Sequence, residues 1–510
     1  MLQGSIEHQI KFHKLVWLGV IMLGAVACGY ALATNSWLLA VAALGGLWLF
    51  TLPYHTTLSM YLAVATFSSA LIMPLFPGRP YIWEFAALLG WSGLVLSIFM
   101  RRHELDFMGQ IKANRWLFNG LVGYLLILIL TMFVRGFGLR ILGNTQMGGR
   151  YYFQQIACGI FPWLFVIKPI SEKTLLRLLT LQCLLTSTFV ITDFVLAHAP
   201  ERLYFAFQFF ELSGDAANFE IRAMRFGIRR FQSLYTVGIG AFCMLLFYFN
   251  LRDFLSKKGA FLLPFLAAVM GIALLSGHRY LAVTTTGVGL ICAYAQRFFT
   301  LRQVTLSLVP LALAFFLIYA YAERLPLAAQ RTVSFLPGIT VDKEAYTDGA
   351  NTLDLRRILV REGFRMIPMY FWTGRGFGVQ AQEYSGHWDP TGVTAHLIQG
   401  RFYNGFIGLM INTGVFGTIS MLLFILGGTI LALRIIKHLR TYGCEDNFSR
   451  LCSVIAGLWI ANALAFLFLH GDSEYAMKTF SLQAGLLLAC DRLLKRRLEA
   501  APVADPSPAG

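Results

Sequence analysis

Read from the N-terminus, the chain alternates apolar runs of span length with short polar breaks, and the alternation fails for long stretches only at 198–232 and 323–402. An α-helix rises 1.5 Å per residue, so roughly 20 apolar residues cross a hydrocarbon layer of about 30 Å. By that measure spans are expected at 15–33, 36–52, 56–76, 81–100, 116–134, 152–170, 175–197, 233–250, 260–277, 279–295, 304–322, 403–433, 452–470 and 475–491. Tight turns in the pairs 15–33/36–52 and 260–277/279–295 leave the total at about 12–14. The expectation is an all-α polytopic membrane protein with one long outer loop that contains an amphipathic helix. Residues 1–322 form a helix array of about eleven spans, 323–402 the large loop, 403–493 the C-terminal transmembrane helices, and 494–510 a disordered tail.

Composition agrees: 57% of residues are hydrophobic and 13% charged, too apolar for a core folded in water. Lys and Arg in short loops set the orientation. With the N-terminus cytoplasmic, 22 of the 42 cations fall in short inner segments; of the other 20, 14 lie in the two long loops, which translocate regardless of charge. Both termini are therefore expected in the cytoplasm and 323–402 outside. No cleavable signal peptide is expected, because the first apolar stretch after Lys11 and Lys14 runs on to span length. Of the 20 outer cations 18 are Arg, whose planar fork grips phosphate in a bidentate manner. The eight cysteines lie in spans or on the inner side, and no CxxC or HExxH is present, so neither disulfides nor a zinc site is expected. No nucleic-acid partner is expected.

The candidate chemistry sits in the polar stretches. IRAMRFGIRRF places Arg222, Arg225 and Arg229 on one helical face, as an interfacial anchor or a contact to lipid-linked phosphate. LLSGHRYLAV turns between two spans with His278 and Arg279 at the interface, where Asp193 and Glu84 are candidate partners. TLDLRRILVREGFRMIP reads as an amphipathic helix with Thr352 as N-cap and Pro368 beyond its end. Arg357, Arg361 and Arg365 recur on one face of it, where mutual repulsion favours an anion between them unless the stripe is simply solvated. A glycine-rich turn, FWTGRGFGVQ, follows, then His387, Asp389 and His396, and the chain re-enters the membrane through GRFYNGFIGLMINTGVFG.

Together these segments resemble the O-antigen ligase and polymerase superfamily, bacterial integral-membrane glycosyltransferases with a GT-C-like helical fold. LLSGHRYLAV resembles the family's Leu-Ser-x-Ser-Arg turn and places Arg279 on its arginine. LDLRRILVREGFRMIPMYFWTGRGFG resembles its arginine-bearing outer helix and glycine turn, matching Arg356 or Arg357 with Gly374, Gly376 and Gly378. YNGFIGLMINTGVFG resembles its re-entry motif at Asn404, Gly414 and Gly417, but Tyr403 stands where the family carries His.

The resemblance implies glycan transfer from an undecaprenyl-pyrophosphate donor to a hydroxyl on a glycan, the lipid A core or a protein. That reaction belongs on the outer face of the bacterial inner membrane, with no cofactor or metal and with polysaccharide-export or chain-length partners. Arg279 and Arg356 or Arg357 would bind the diphosphate, with Arg361, Arg365 and Arg401 behind them and Asn404 as a further binding position. His396 is the first choice of base, followed by His387, Asp389 and Tyr403. The rival readings are a transporter or flippase of lipid-linked glycan and a scaffold of an export complex. Polar groups gathered at the midplane would favour transport, and a pocket at the outer face roofed by 323–402 would favour transfer. Between the acceptors, the sequence leans towards a polymerase.

Overall fold

The computed structural model of the protein describes residues 37–74, 79–99, 107–138, 146–198, 201–211, 228, 230–380 and 393–500, with isolated positions between 19 and 34. The expected span 15–33 lies largely outside that set, and Arg222, Arg225, Arg229, His387 and Asp389 lie wholly outside it. Among the described residues five helices are long and apolar enough to cross a membrane: Arg115–Arg135, Glu172–His198, Leu301–Arg324, Gly405–Tyr442 and Asn447–Leu469. Shorter apolar helices run Ile82–Ile98, Leu234–Tyr248, Gly259–Leu274 and Tyr280–Ala295. The chain is an all-α polytopic membrane protein. Its only named strands among the described residues are Gln146–Met147 and Val379–Gln380, a short antiparallel pair that stitches the long loop to the helix array.

Several spans are broken where the sequence suggested single helices, and each break has a local cause. The run expected at 56–76 is helical only over His55–Thr66. There Ser69 Oγ donates to the Thr66 carbonyl at 2.7 Å, Pro74 lies ahead, and the chain runs on in extended form with bridges Leu71 to Phe210 and Ile72 to Tyr81. The run at 152–170 divides at Gly159 into Gly149–Cys158 and Phe161–Ile167, the second with Pro162 in its first turn. The last helix continues to Ala500, well past the expected start of a tail at 494.

The loop 323–402 is itself helical, over Leu327–Val333, Lys343–Tyr370 and Val393–Gln399. Its main helix, called the roof helix below, is longer than its sequence signals implied. Asp342 rather than Thr352 is the N-cap, accepting from Glu344 N at 3.0 Å, and Pro368 lies inside the last turns.

The core is built on close backbone approach, the usual solution in lipid, where a hydrophobic drive between helices is absent. Helices Arg115–Arg135 and Gly405–Tyr442 run antiparallel with glycines at the contact. A Cβ added at Gly120 would lie 2.3 Å from Phe424 N, and one at Gly427 would lie 2.3 Å from Leu117 N. Trp459 packs closely against Gly428, and Phe424 and Phe480 meet its ring. Helix Leu301–Tyr321, apolar along its length, buries none of its residues against the rest of the chain, as expected of a helix surrounded by lipid.

At the end remote from the loop, Arg497 grips both Glu172 and Asp446, with Nη2 at 2.5 and 3.0 Å from their carboxylates. Asp446 also caps helix Asn447–Leu464 through Phe448 N and Ser449 N. Burial opposes its ionisation, but the bonds from Arg497 and Ser449 bring the Asp446 carboxyl down to about 2.

Gly120→Ala or Gly427→Ala should therefore destabilise the fold by about 1–3 kcal/mol through overpacking. Gly271→Ala, with nothing within 4 Å of its added Cβ, should leave thermal unfolding in detergent unchanged. Because the folded value of Asp446 lies below the unfolded one, its stabilisation is present above about pH 4 and lost as the pH falls towards 2. Asp446→Asn should flatten that acid limb of the melting profile.

Candidate functional site

The site begins with a defect in a helix. At Gly414 the backbone leaves helical geometry (φ 69°, ψ −173°), so Ile411 and Asn412 lose the donors that a continuous helix would place four residues on. The glycine-rich turn supplies them: Arg375 N donates to Ile411 O at 2.7 Å and Gly376 N to Asn412 O at 2.9 Å, while Val415 N returns a bond to Phe371 O at 2.7 Å. A Cβ at Gly374 would meet the Asn412 carbonyl at 2.5 Å and one at Gly376 the Tyr152 hydroxyl at 2.3 Å, and both glycines have positive φ. The turn is thus a clip onto the broken helix rather than a phosphate cradle. Arg135 donates to Gly374 O at 2.9 Å, and Arg375 donates to the last carbonyls of helix Val393–Gln399, Leu397 O and Ile398 O.

So clipped, the roof helix lies over the end of the helix array and presents one arginine inward. Arg356 reaches the Tyr403 ring, with Cζ 5.2 Å from its centroid. Tyr403 holds a left-handed backbone (φ 51°), unusual for a residue with a side chain, and is flanked by two imidazoles. His470 stacks on it at 5.4 Å and His396 meets it edge-on at 5.3 Å. Tyr280 packs on His470 and donates to Asn462 Oδ1 at 2.7 Å.

Beside this group Arg279 comes close against the roof helix because Gly349 has no side chain; a Cβ there would lie 2.7 Å from Arg279 Nη2. Arg279 donates to Ser334 Oγ at 3.1 Å and lies near the Phe335 ring. Buried Arg331 is tied to Asp348, to Gly277 O and to Thr352 Oγ1 at 2.8 Å. The Nε atoms of both Arg279 and Arg356 are buried without a hydrogen-bond partner among the described residues, as is Asp472 Oδ1.

The electrostatics bind these groups into one cluster. Burial, then Arg331 and Arg356, hold Arg279 below its ordinary basicity, with Asp348 opposing. Burial also lowers Arg356; Tyr403 and Asp472 counter it, and Arg331 adds to it. His278 is pushed well below its usual value by burial and by Arg230, and its ring stacks on Tyr235 at 4.8 Å. Behind Tyr403, Arg401 Nε lies 2.9 Å from Glu474 and its Nη2 3.4 Å from the Tyr151 hydroxyl, which packs on Tyr475. Burial raises the Glu474 carboxyl to about 7, Arg401 opposing and Asp472 reinforcing.

The expected site residues therefore separate. Arg279, Arg356, His396 and Tyr403 come together. Arg357, Arg361 and Arg365 face solvent and pair along their own helix, Arg357 with Asp354 at 3.2 Å and Arg361 and Arg365 with Glu362 at 3.5 and 2.9 Å. Of the two readings of the stripe, the contacts match the solvated face: Asp354 and Glu362 lie three residues from Arg357 and Arg365, the spacing at which helical side chains meet. Arg401 is an ion-paired wall rather than an open cation, and Asn404 is the N-cap of the re-entering helix, accepting from Ile407 N at 3.1 Å. Glu84 pairs with Arg150 and Asp193 accepts from Ser233, in place of the contacts suggested for Arg279.

Arg331, His470, Asp472 and Glu474 were not among the expected residues. HGDSE carries three of them between two spans, and an ionisable run at a span boundary was the available signal. Arg331 stood out only as one of the arginines of the polar stretch 323–402, since its partner lies 17 residues on in another helix. Among the described residues His, Cys, Asp and Glu form no group of three that could hold a metal ion. No protein-family model matches the chain, and no curated protein matches it.

Arg331→Met should leave Asp348 and Gly277 O without their donor and cost about 3 kcal/mol. The measurement is denaturation in detergent micelles, with faster proteolysis of 323–402 as the local signature. Arg324→Met, on an exposed side chain, should change neither.

Proposed function

We propose that the protein is a membrane glycosyltransferase that moves a glycan from a polyprenyl diphosphate donor, undecaprenyl pyrophosphate in a bacterial inner membrane, to a hydroxyl acceptor. The observation that carries this reading is the pair Arg279 and Arg356, each with a buried, unpartnered Nε, converging with Arg331 beside two imidazoles beneath the roof helix. Fixed guanidiniums in a site shielded from water stabilise charge where it develops, and the departing diphosphate is where it develops here. An imidazole near neutral pH is suited to take the acceptor proton.

In the proposed step the acceptor oxygen attacks the sugar C1 and forms the new glycosidic bond. The bond from C1 to the diphosphate oxygen breaks, and the leaving diphosphate keeps the electron pair on that oxygen, its charge stabilised by Arg279 and Arg356. The acceptor proton passes to an imidazole at the Tyr403 ring, His396 on one side or His470 on the other. The ionisable groups gather at the loop-side end of the array rather than at its middle, which favours transfer over transport. The excess of cations in the short loops of the opposite end supports an orientation with this end outside the cytoplasm.

Arg356→Ala and Arg279→Ala should each lower glycan transfer by about 10²–10³-fold, the usual cost of one charge-stabilising donor. Arg357→Ala, Arg361→Ala and Arg365→Ala should stay within about twofold. The assay is transfer of labelled glycan from an undecaprenyl-linked donor in proteoliposomes, with membrane insertion verified by fractionation. Unchanged transfer in both inward arginine variants would sink the proposal.

A further inference from the structure

Helix Leu301–Tyr321 stands away from the bundle along most of its length. It buries none of its residues and packs chiefly at its two ends, against the turns Leu251–Leu255 and Ala322–Arg324. Between its first half and helix Gly259–Leu274 lies a groove of about 480 Å³, remote from the loop into which Leu301–Tyr321 leads at Glu323. Leu255, Leu263 and Pro264 line one wall; Leu306, Val309 and Pro310 line the other.

The sequence accounts for this shape. Leu306, Val309 and Pro310 recur at i, i+3 and i+4 and so share one helix face. A proline inside a helix removes a backbone hydrogen bond and bends the axis, and each of these two helices carries its internal proline at the groove. The groove is open to the side, since Val309 is 69% and Leu306 45% exposed. An apolar cleft on a membrane-facing surface is filled by hydrocarbon rather than by water, which finds few polar partners there.

One end of the groove is basic. Arg252, Lys257, Lys258 and Arg302 each lie within four residues of a lining position, and Arg302 stands one turn before Leu306 on the same face. Asp253 is already engaged, by Lys258 at 3.4 Å and by Asn250 N at 2.9 Å. Lys257 and Arg302 are exposed and have no acid partner among the described residues. Hydrocarbon walls alone would admit any bilayer lipid, whereas cations at the mouth of a cleft between membrane helices select one with a negatively charged headgroup. The polyprenyl carrier is not the expected occupant, because the arginines proposed to hold its diphosphate lie at the opposite end of the array.

We propose that the groove is a binding site for one anionic glycerophospholipid of the surrounding bilayer, with an acyl chain between Pro264 and Pro310 and the headgroup phosphate between Lys257 and Arg302. The bound lipid fills the gap beside Leu301–Tyr321 and so braces the helix from which the large loop begins.

The test is native mass spectrometry of the full chain in detergent with equimolar phosphatidylglycerol and phosphatidylcholine of matched chains. The parent should retain one phosphatidylglycerol with a preference of at least about tenfold. Lys257→Gln and Arg302→Gln should each weaken that binding about fivefold, and about 30-fold together, with phosphatidylcholine unaffected. Arg324→Gln, at the other end of the same helix, should change neither. Ala260→Trp, which fills the groove from an exposed lining position, should abolish retention of the lipid while leaving the unfolding temperature of the delipidated chain unchanged. Equal retention of the two lipids by the parent, the mark of bulk bilayer contact, would overturn the proposal, as would a phosphatidylglycerol preference that survives in the Lys257→Gln, Arg302→Gln double variant. Displacement of phosphatidylglycerol by equimolar undecaprenyl phosphate would assign the groove to the carrier instead, and a parent dimer that Ala260→Trp splits would assign it to a second copy of the chain. Should Ala260→Trp fail to fold, the double charge variant, altered only at exposed side chains, decides by itself.

Discussion

Where the helix Gly405–Tyr442 breaks at Gly414, the carbonyls of Ile411 and Asn412 must find donors inside the protein, because hydrocarbon offers none. Arg375 N and Gly376 N meet that need, and in doing so they fix the C-terminal end of the roof helix against the array. Asn412 extends the joint by donating to Ser473 Oγ at 2.8 Å, so the linker that carries His470, Asp472 and Glu474 is anchored at the same point. The inward arginine, the tyrosine with a left-handed backbone and the two imidazoles all hang from this joint. Without the break the loop would have no defined seat.

Charge is distributed around that joint in a graded way. On the outer surface of the roof helix the arginines are exposed and paired with acids of their own helix, contacts that contribute little in water. One layer in, Arg331 and Arg401 are tied to Asp348 and Glu474 and hold elements together. Innermost, Arg279 and Arg356 keep hydrogen-bonding capacity unmet while sitting in each other's field. Structural ion pairs are saturated; a binding site is recognised by donors left open.

Much of the architecture was legible in the chain. Span-length apolar runs and a polar stretch at 323–402 were enough to give an all-α membrane array with a helical loop, and the runs at 81–100 and 116–134 match helices within a residue or so. Hydropathy alone did not show the breaks at Thr66, Gly159 and Gly414, since an apolar residue scores the same in one straight helix or in two short ones. Nor did it extend the roof helix back to Asp342, where Gly349 and a polar turn obscure helical periodicity.

The site was legible by residue type but not by direction. Arginine excess in 323–402 and the turn at Arg279 marked the region, yet the visible stripe of Arg357, Arg361 and Arg365 proved to be the solvated face, and its neighbour Arg356 the inward one. Which face of an amphipathic helix meets a polar cleft depends on what lies beneath it, and here that is Tyr403 and His470, supplied by different parts of the chain. The sequence by itself determined the solvent of this protein, because transfer of apolar runs into lipid is a local property of each run. Only the tertiary structure decided which cations are neutralised and which are left open, because pairing depends on distances between residues far apart in the chain.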